Sequence, residues 1–160
     1  MPDLVKATFQ NNQTALEVAC QVKEWKLVSA LVDAGANIDT PFQGGNDDIR
    51  VALHAACQYE AKEMVYFLLD KDADPNIVDD KWGWYAFPLA WAAARGDIDL
   101  VNRLLACGAD PNLKGGFYGS ALHACIRKGK DEVTRVLLEH GADPNTQSRF
   151  SLFLRDLWLI

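Results

Sequence analysis

One short pattern recurs four times along the chain at nearly constant spacing. The first apolar residue of each copy stands at Leu16, Leu53, Leu89 and Leu122, and the separations are 37, 36 and 33 residues. Three copies end in Asp-Pro-Asn, at residues 74–76, 110–112 and 143–145. A period of this length is typical of stacked supersecondary units, each of which buries its apolar face on its neighbours. The sequence therefore predicts a repeat array.

The last copy shows what one unit contains. A short apolar segment begins at Ala121 and is interrupted by Gly129, and a longer amphipathic segment follows, with apolar residues at helical spacing over 133–138. Gly141 is suited to the left-handed conformation that ends a helix, and Pro144 prevents the helix from resuming. These signals predict two helices joined by a tight turn.

This copy resembles the ankyrin repeat. The family pattern appears as ALHAC at residues 121–125, VLL at 136–138 and GADPN at 141–145. The resemblance covers roughly residues 14 to 149, and the run GGFYGSALHA is similar to ankyrin arrays common in fungal proteins. It implies an all-α ankyrin-repeat solenoid of four helix–turn–helix repeats with hairpin-like loops and irregular terminal caps.

We expect residues 1–160 to form a single ankyrin-repeat domain. Its predicted parts are an N-terminal cap (1–13), repeat 1 (14–40), repeat 2 with an inserted loop (41–76), repeat 3 with a Trp-rich loop (77–112), repeat 4 (113–145) and a C-terminal cap (146–160). The apolar C-terminal tail is interpreted as a partial fifth helix, and the alternatives are a dimer surface or a point where a longer array was cut.

The charge of the chain narrows its class of partner. The net charge is −6 and the sequence pI is near 5.0, which disfavours nucleic acid and anionic membranes because both reward a basic stripe. The sequence shows neither a signal peptide nor an apolar run long enough to span a bilayer. We therefore expect a soluble, cytoplasmic protein.

The cysteines predict a structural role. Cys20, Cys57 and Cys125 fall at small-residue positions of the short helices, and no CxxC pair occurs. We interpret them as small core residues, with a zinc site or a disulfide set as the alternative. We expect no metal and no cofactor.

The resemblance implies that hairpin tips and short helices line a concave binding side. Aromatic residues with Arg, beside acidic loops, match the composition of binding hot spots. The predicted binding residues are Phe42, Asp47, Asp48, Tyr59, Asp79, Asp80, Trp82, Trp84, Tyr85, Trp91, Arg95, Phe117, Tyr118 and Arg127. The predicted function is a non-catalytic scaffold for protein–protein interaction, and the acidic pairs favour a basic partner. The alternative for Trp82 and Trp84 is that they pack the enlarged hairpin against its neighbours.

A second hypothesis places the chain in another class of protein. The two lengthened loops and Trp91 would enclose an apolar pocket for a small molecule, as in a binding protein or an atypical enzyme. Its acid–base groups would be Asp47, Asp79, His54 or His123. The structural alternative for the two histidines is hydrogen bonding to the backbone between adjacent hairpins, as the family implies. Ser120 stands in the Thr position of the repeat and is predicted to cap a helix.

Overall fold

Eight helices in four pairs make up the regular structure of the described residues. A computed structural model of the chain describes residues 13–42, 51–78 and 85–147. The helices are α1 (Ala15–Gln21), α2 (Trp25–Asp33), α3 (Ala52–Gln58), α4 (Lys62–Asp70), α5 (Pro88–Arg95), α6 (Ile98–Ala106), α7 (Ala121–Arg127) and α8 (Asp131–Glu139). Within those three ranges there is no strand, and an isolated bridge joins Gly115 and Gly119. The predicted all-α class is confirmed.

The chain divides into two compact units, residues 1–74 and 75–160. In the first unit α1 packs on α3 and α2 on α4, and in the second α5 packs on α7 and α6 on α8. Each unit thus has one layer of first helices and one layer of second helices, which is the stacking that the period predicts. The two predicted caps lie almost wholly outside the described residues.

Small residues on the first helices form much of the core. Cys20, Cys57 and Cys125 are at most 4% exposed, next to buried alanines such as Ala19 and Ala124. Burial, followed by the charge of Glu17, raises the pKa of the Cys20 thiol to about 12. The prediction that these cysteines are small core residues is confirmed.

The helix ends follow the sequence signals. Thr14 and Ser120 are N-caps whose side chains accept from the backbone N–H of Glu17 and His123, at 3.1 and 3.3 Å. Each second helix is followed by a residue with left-handed backbone, which is Gly35, Asp72, Gly108 or Gly141. The predicted cap at Ser120 is therefore confirmed.

Asparagines tie one repeat to the next in the second unit. The Asn76 side chain donates to Gly108 O at 2.9 Å and accepts from Asp110 N at 2.8 Å. Asn112 makes the same pair of bonds with Gly141 O and Asp143 N, at 2.9 and 2.7 Å. An amide serves here because one bond needs a donor and the other an acceptor.

The first unit has a carboxylate at the matching position. Asp39 Oδ1 accepts from Asp74 N at 3.2 Å, which is the acceptor half of the pattern. An ionised carboxylate has no hydrogen to donate to the carbonyl of Asp72, the residue that corresponds to Gly108. Burial raises the pKa of the Asp39 carboxyl, the bond from Asp74 N lowers it and the Asp74 charge raises it.

Replacing Asp39 with Asn is therefore expected to stabilise the protein. The amide supplies the missing donor and removes the charge, and one net hydrogen bond is worth about 0.5–1 kcal/mol. Because the folded pKa is raised, the contribution of this group to stability is present below its ordinary pKa and is lost as the pH rises through the folded value. The gain from Asp39→Asn should thus be larger at neutral pH than near pH 4.

Urea unfolding at the two pH values measures this gain. The matched control is Asn76→Asp, which converts a complete pair of bonds into the Asp39 arrangement and should destabilise by a similar amount. An Asp39→Asn variant less stable than the natural chain at neutral pH would contradict the prediction.

Candidate partner-binding site

The predicted binding residues fall into three groups in the structure. Phe42 and Tyr59 belong to the first unit, and those from Tyr85 onward belong to the second. The remaining six lie outside the described residues: Asp47, Asp48, Asp79, Asp80, Trp82 and Trp84. Their roles, and the two long loops that carry them, stay predictions.

Four aromatic side chains of the second unit form a row, which we call the aromatic row: Trp91, Tyr85, Tyr118 and Phe117. The ring centroids of Trp91 and Tyr85 are 4.9 Å apart, and Tyr85 stacks on Tyr118 at 5.2 Å with 25° between the planes. Phe117 meets Tyr118 edge-on at 5.7 Å. Rings at these separations attract one another beyond simple burial, so the row is a fixed surface feature.

A short hairpin and two helices position the row. Phe117 and Tyr118 lie in the turn closed by the hydrogen bond from Gly115 N to Gly119 O, at 3.1 Å. Trp91 lies on α5, and Tyr85 precedes that helix. Since α5 packs on α7, the hairpin that leads into α7 places its aromatics beside those of the preceding repeat.

Tyr118 is the base of the row. It is only 7% exposed and belongs to a core cluster with Ala94 and Ala124, against which Tyr85 and Phe117 pack. Tyr85, Trp91 and Phe117 are half-buried, so each presents part of its ring to solvent. Tyr118 therefore supports its neighbours and offers little surface of its own to a partner.

Three exposed cations border the aromatic row. The Arg95 guanidinium carbon lies 4.7 Å from the Trp91 ring centroid, and that of Arg127 lies 5.8 Å from the Tyr118 centroid. The Lys128 ammonium lies close enough to Tyr85 to lower the pKa of its phenol. Cation–π attraction at such distances holds a guanidinium against a ring.

The Tyr85 phenol stays neutral at physiological pH. Burial raises its pKa, and Tyr118 raises it further by its charge and by a hydrogen bond. The Lys128 ammonium acts in the opposite direction but does not reverse the shift. The row thus carries the neutral Tyr85 hydroxyl next to positive charges.

Tyr59 belongs to a separate aromatic contact in the first unit. Its ring lies 6.2 Å from that of Trp25, and the Lys23 Nζ lies 4.0 Å from the Tyr59 centroid. Neither Trp25 nor Lys23 was among the predicted binding residues. Lys23 lies in the turn between α1 and α2 and has a positive φ of 61°. The repeat spacing indicates this turn, but it does not indicate the direction of the Lys23 side chain.

The two histidines proposed as acid–base groups are at least partly buried. His54 is 6% exposed. His123 Nδ1 lies 2.8 Å from Ser120 Oγ within its own repeat, and burial lowers the pKa of the imidazole. The hydrogen-bond partner of His123 is thus the Ser120 hydroxyl, whereas the family resemblance implies a bond to the backbone between adjacent hairpins. Asp47 and Asp79 lie outside the described residues, so the acid–base hypothesis stays a prediction.

The charge and burial of Glu17 distinguish the first repeat from the others. Glu17 stands where two other repeats carry His54 and His123, and it is 1% exposed. Its Oε1 accepts from Gln13 Nε2 at 2.9 Å and from Gln21 Nε2 at 3.4 Å. Its hydrogen bonds thus differ from that of His123, which contacts the Ser120 hydroxyl.

Among the described residues, no group of three or more His, Cys, Asp or Glu side chains is placed to hold a metal ion. No helix in the same ranges has the length and apolar character needed to cross a membrane.

Comparison with protein families identifies the repeats. A family model described as ankyrin repeats in three copies matches residues 2–79 and again residues 89–154. The matches leave out only a short stretch around the Trp-rich loop and the two chain ends. Together they cover well over half of the chain.

Individual relatives agree with the family match. The mouse B-cell lymphoma 3 protein homolog is 30% identical over 134 residues, which is 78% of this chain and 30% of the relative. Ankyrin repeat protein L371 of Acanthamoeba polyphaga mimivirus is 28% identical over 122 residues, 75% of this chain and 15% of the relative. A third, mouse ankyrin repeat and MYND domain-containing protein 1, is 41% identical over 78 residues, 46% of this chain and 8% of the relative. The chain spans less than a third of the length of each.

Proposed function

The chain belongs to the ankyrin-repeat family, and from this premise we propose that it is a non-catalytic module that binds a segment of a protein partner. Ankyrin repeats generally mediate protein–protein interaction. The finer proposal is that the partner lies along the first helices and hairpins, with the aromatic row as its anchor. The predicted binding roles of Phe42, Tyr59 and the two long loops are part of the same proposal, as is a cytoplasmic location.

The observation that carries this proposal is the half-buried aromatic row beside exposed cations. Trp, Tyr and Arg are the residues most enriched in binding hot spots. Tyr85 and Trp91 are already ordered against Tyr118 and against each other, so a partner would lose little side-chain entropy on contact. Rigid, amphipathic rings of this kind are favourable anchors in a protein interface.

The predicted preference for a basic partner depends on the acidic pairs of the two loops. Asp47, Asp48, Asp79 and Asp80 all lie outside the described residues, so this preference concerns the loop tips alone. The small-molecule or enzyme alternative depends on the same loops, with Asp47, Asp79, His54 or His123 as acid–base groups, and no observation on the described residues favours it.

We expect Trp91→Ala to weaken partner binding about tenfold or more, since truncation of a central aromatic anchor typically costs 1–4 kcal/mol. A peptide-display selection against the whole chain supplies the ligands, and fluorescence anisotropy measures the dissociation constants. Trp91→Phe keeps an apolar ring over Tyr85 and should retain much of the affinity.

The matched control is Tyr66→Ala, which removes a half-buried aromatic of α4 that lies under Lys62. It should leave the affinity within about twofold, because interface hot spots are few and local. Thermal unfolding of each variant confirms that the fold is retained. Equal affinity of Trp91→Ala and the natural chain would reject the aromatic row as the anchor.

A further inference from the structure

Charge is segregated by position within the second unit. Residues 85–96 and 111–130 supply α5, α7 and the hairpin and contain no Asp or Glu. Their charged residues are Arg95, Lys114, Arg127, Lys128 and Lys130. The acidic residues over 97–147 lie in the other segments, at Asp97, Asp99, Asp110, Asp131, Glu132, Glu139 and Asp143. In a chain of net charge −6, the first helices of this unit are locally cationic.

We propose that the aromatic row, together with Arg95, Arg127 and Lys128, binds an acidic segment of a protein partner. This inference rests on the proposed function and names the chemistry of the partner at that site. It concerns the helical face of the second unit and makes no use of the loop aspartates.

The geometry suits carboxylate side chains. Arg95 lies over Trp91, and Arg127 lies over Tyr118, so a guanidinium stands toward each end of the stacked rings. A guanidinium over a ring face donates its N–H bonds within its own plane, and a pair of those donors matches the two oxygens of a carboxylate. Lys128 is exposed, and its ammonium lowers the pKa of the Tyr85 phenol, so a third positive charge lies close to the stacked rings.

The arrangement of aromatic rings and cations suits an extended or helical peptide that contains both apolar and acidic residues. Apolar or aromatic side chains of the partner would contact Trp91, Tyr85 and Phe117, each of which presents part of a ring. Asp or Glu residues flanking them would meet the cations at the rim. Complementary rim charges mainly set the association rate and the specificity, so the recognition should weaken as salt increases.

Peptide display against the whole chain tests the proposal. A random library is selected on the natural chain, and the enriched sequences are compared with the unselected library. We expect enrichment of Asp and Glu next to apolar or aromatic residues. The charge-reversed variant Arg127→Glu/Lys128→Glu should bind the enriched peptides at least about tenfold more weakly, and increasing salt should reduce this difference.

The control variant is Arg103→Glu/Arg135→Glu, which changes the net charge equally on exposed positions of α6 and α8. It should retain the affinity within about twofold, because charges distant from an interface are largely screened. If both double variants lose affinity equally, the effect is one of overall charge and the acidic-segment proposal is rejected.

Three other outcomes separate the two proposals. Enriched peptides that are basic or have no charge bias, yet lose affinity in Trp91→Ala, would reject the acidic segment and retain the interaction module. Peptides insensitive to Trp91→Ala would reject the site itself. Tight binding of a polythymidine oligonucleotide that Arg127→Glu/Lys128→Glu abolishes would identify nucleic acid in place of an acidic protein.

Discussion

Replacing Phe87 with Ala will lower the free energy of unfolding by about 3–5 kcal/mol. Phe87 is 0% exposed and is the bulkiest of the fully buried side chains in the described part of the chain. Truncation removes the transfer free energy of the ring and leaves a cavity that the surroundings fill only in part. A loss of this size is a large fraction of the stability of an ordinary domain. Urea unfolding followed by circular dichroism measures it.

The position of Phe87 allows packing and capping to be separated. It is the N-cap residue of α5, in an extended conformation with φ −153° and ψ 157°, and its side chain makes no capping hydrogen bond. Thr14 and Ser120 hold the same position in their repeats and do cap. At this position the buried ring of Phe87 thus stands in place of a capping hydroxyl, which typically contributes about 1 kcal/mol to stability.

Two variants therefore accompany Phe87→Ala. Phe87→Thr restores a capping hydroxyl without the ring and should be about 1 kcal/mol more stable than Phe87→Ala. Phe87→Leu keeps much of the volume and should cost only about 1–1.5 kcal/mol. If Phe87→Ala cost less than about 1 kcal/mol, as most surface substitutions do, the ring would not be part of the core.

The sequence predicted the helices because their signals are local and repeated. Leu16, Leu53, Leu89 and Leu122 are all at most 5% exposed, and each stands at the second residue of its helix. The turn signals were equally direct. Asp72 replaces the glycine of the other repeats and still adopts φ 62°, as its tolerance of the left-handed region predicts. The predicted repeat boundaries follow the same register and stay a prediction.

The aromatic row was only partly visible in the sequence. Its residues were predicted to lie on one binding side. The stacking of Tyr85 on Tyr118 follows from their matching positions in adjacent repeats, which the prediction did not use. Tyr85 and Tyr118 each stand four residues before the buried leucine of their repeat, so they are equivalent positions in adjacent copies. Equivalent positions of stacked repeats are neighbours. Tyr118 is nevertheless the buried base of the row, whereas Tyr85 is half-exposed.

Contacts between side chains of different type could not be predicted from the pattern. In the sequence, Asp39 is a variant of the asparagine that ends the other repeats. The Asn76 side chain both donates and accepts a hydrogen bond, and this comparison shows that Asp39 lacks the donor. The contact of Lys23 with Tyr59 likewise joins a turn of one repeat to the helix end of the next. Periodicity places the backbone, whereas these contacts depend on side-chain length and chemistry.

Replacing Gly96 with Ala is expected to destabilise the protein by about 2–3 kcal/mol, from two separable causes. Gly96 follows α5 with φ +78°, a left-handed conformation that costs an L residue roughly 1–2 kcal/mol. An added Cβ would also lie 2.8 Å from Lys130 Cδ and 3.3 Å from its Cε. Displacing that stem adds about 1 kcal/mol of overpacking.

Gly108→Ala separates the two causes because Gly108 has φ +88° and an added Cβ there meets nothing within 4 Å. It should lose only the backbone contribution, and Gly96→Ala should lose about 1 kcal/mol more. Adding Lys130→Ala to Gly96→Ala should remove that excess in a double-mutant cycle of unfolding free energies.

The positions corresponding to Gly96 in the first unit support this division of the loss into two causes. They are Lys23 and Glu60, which adopt φ 61° and 58° with full side chains. The turn itself therefore tolerates a Cβ at the backbone cost, and the additional loss at residue 96 comes from the Lys130 stem lying across it. Equal losses for Gly96→Ala and Gly108→Ala would show instead that Lys130 moves aside without cost.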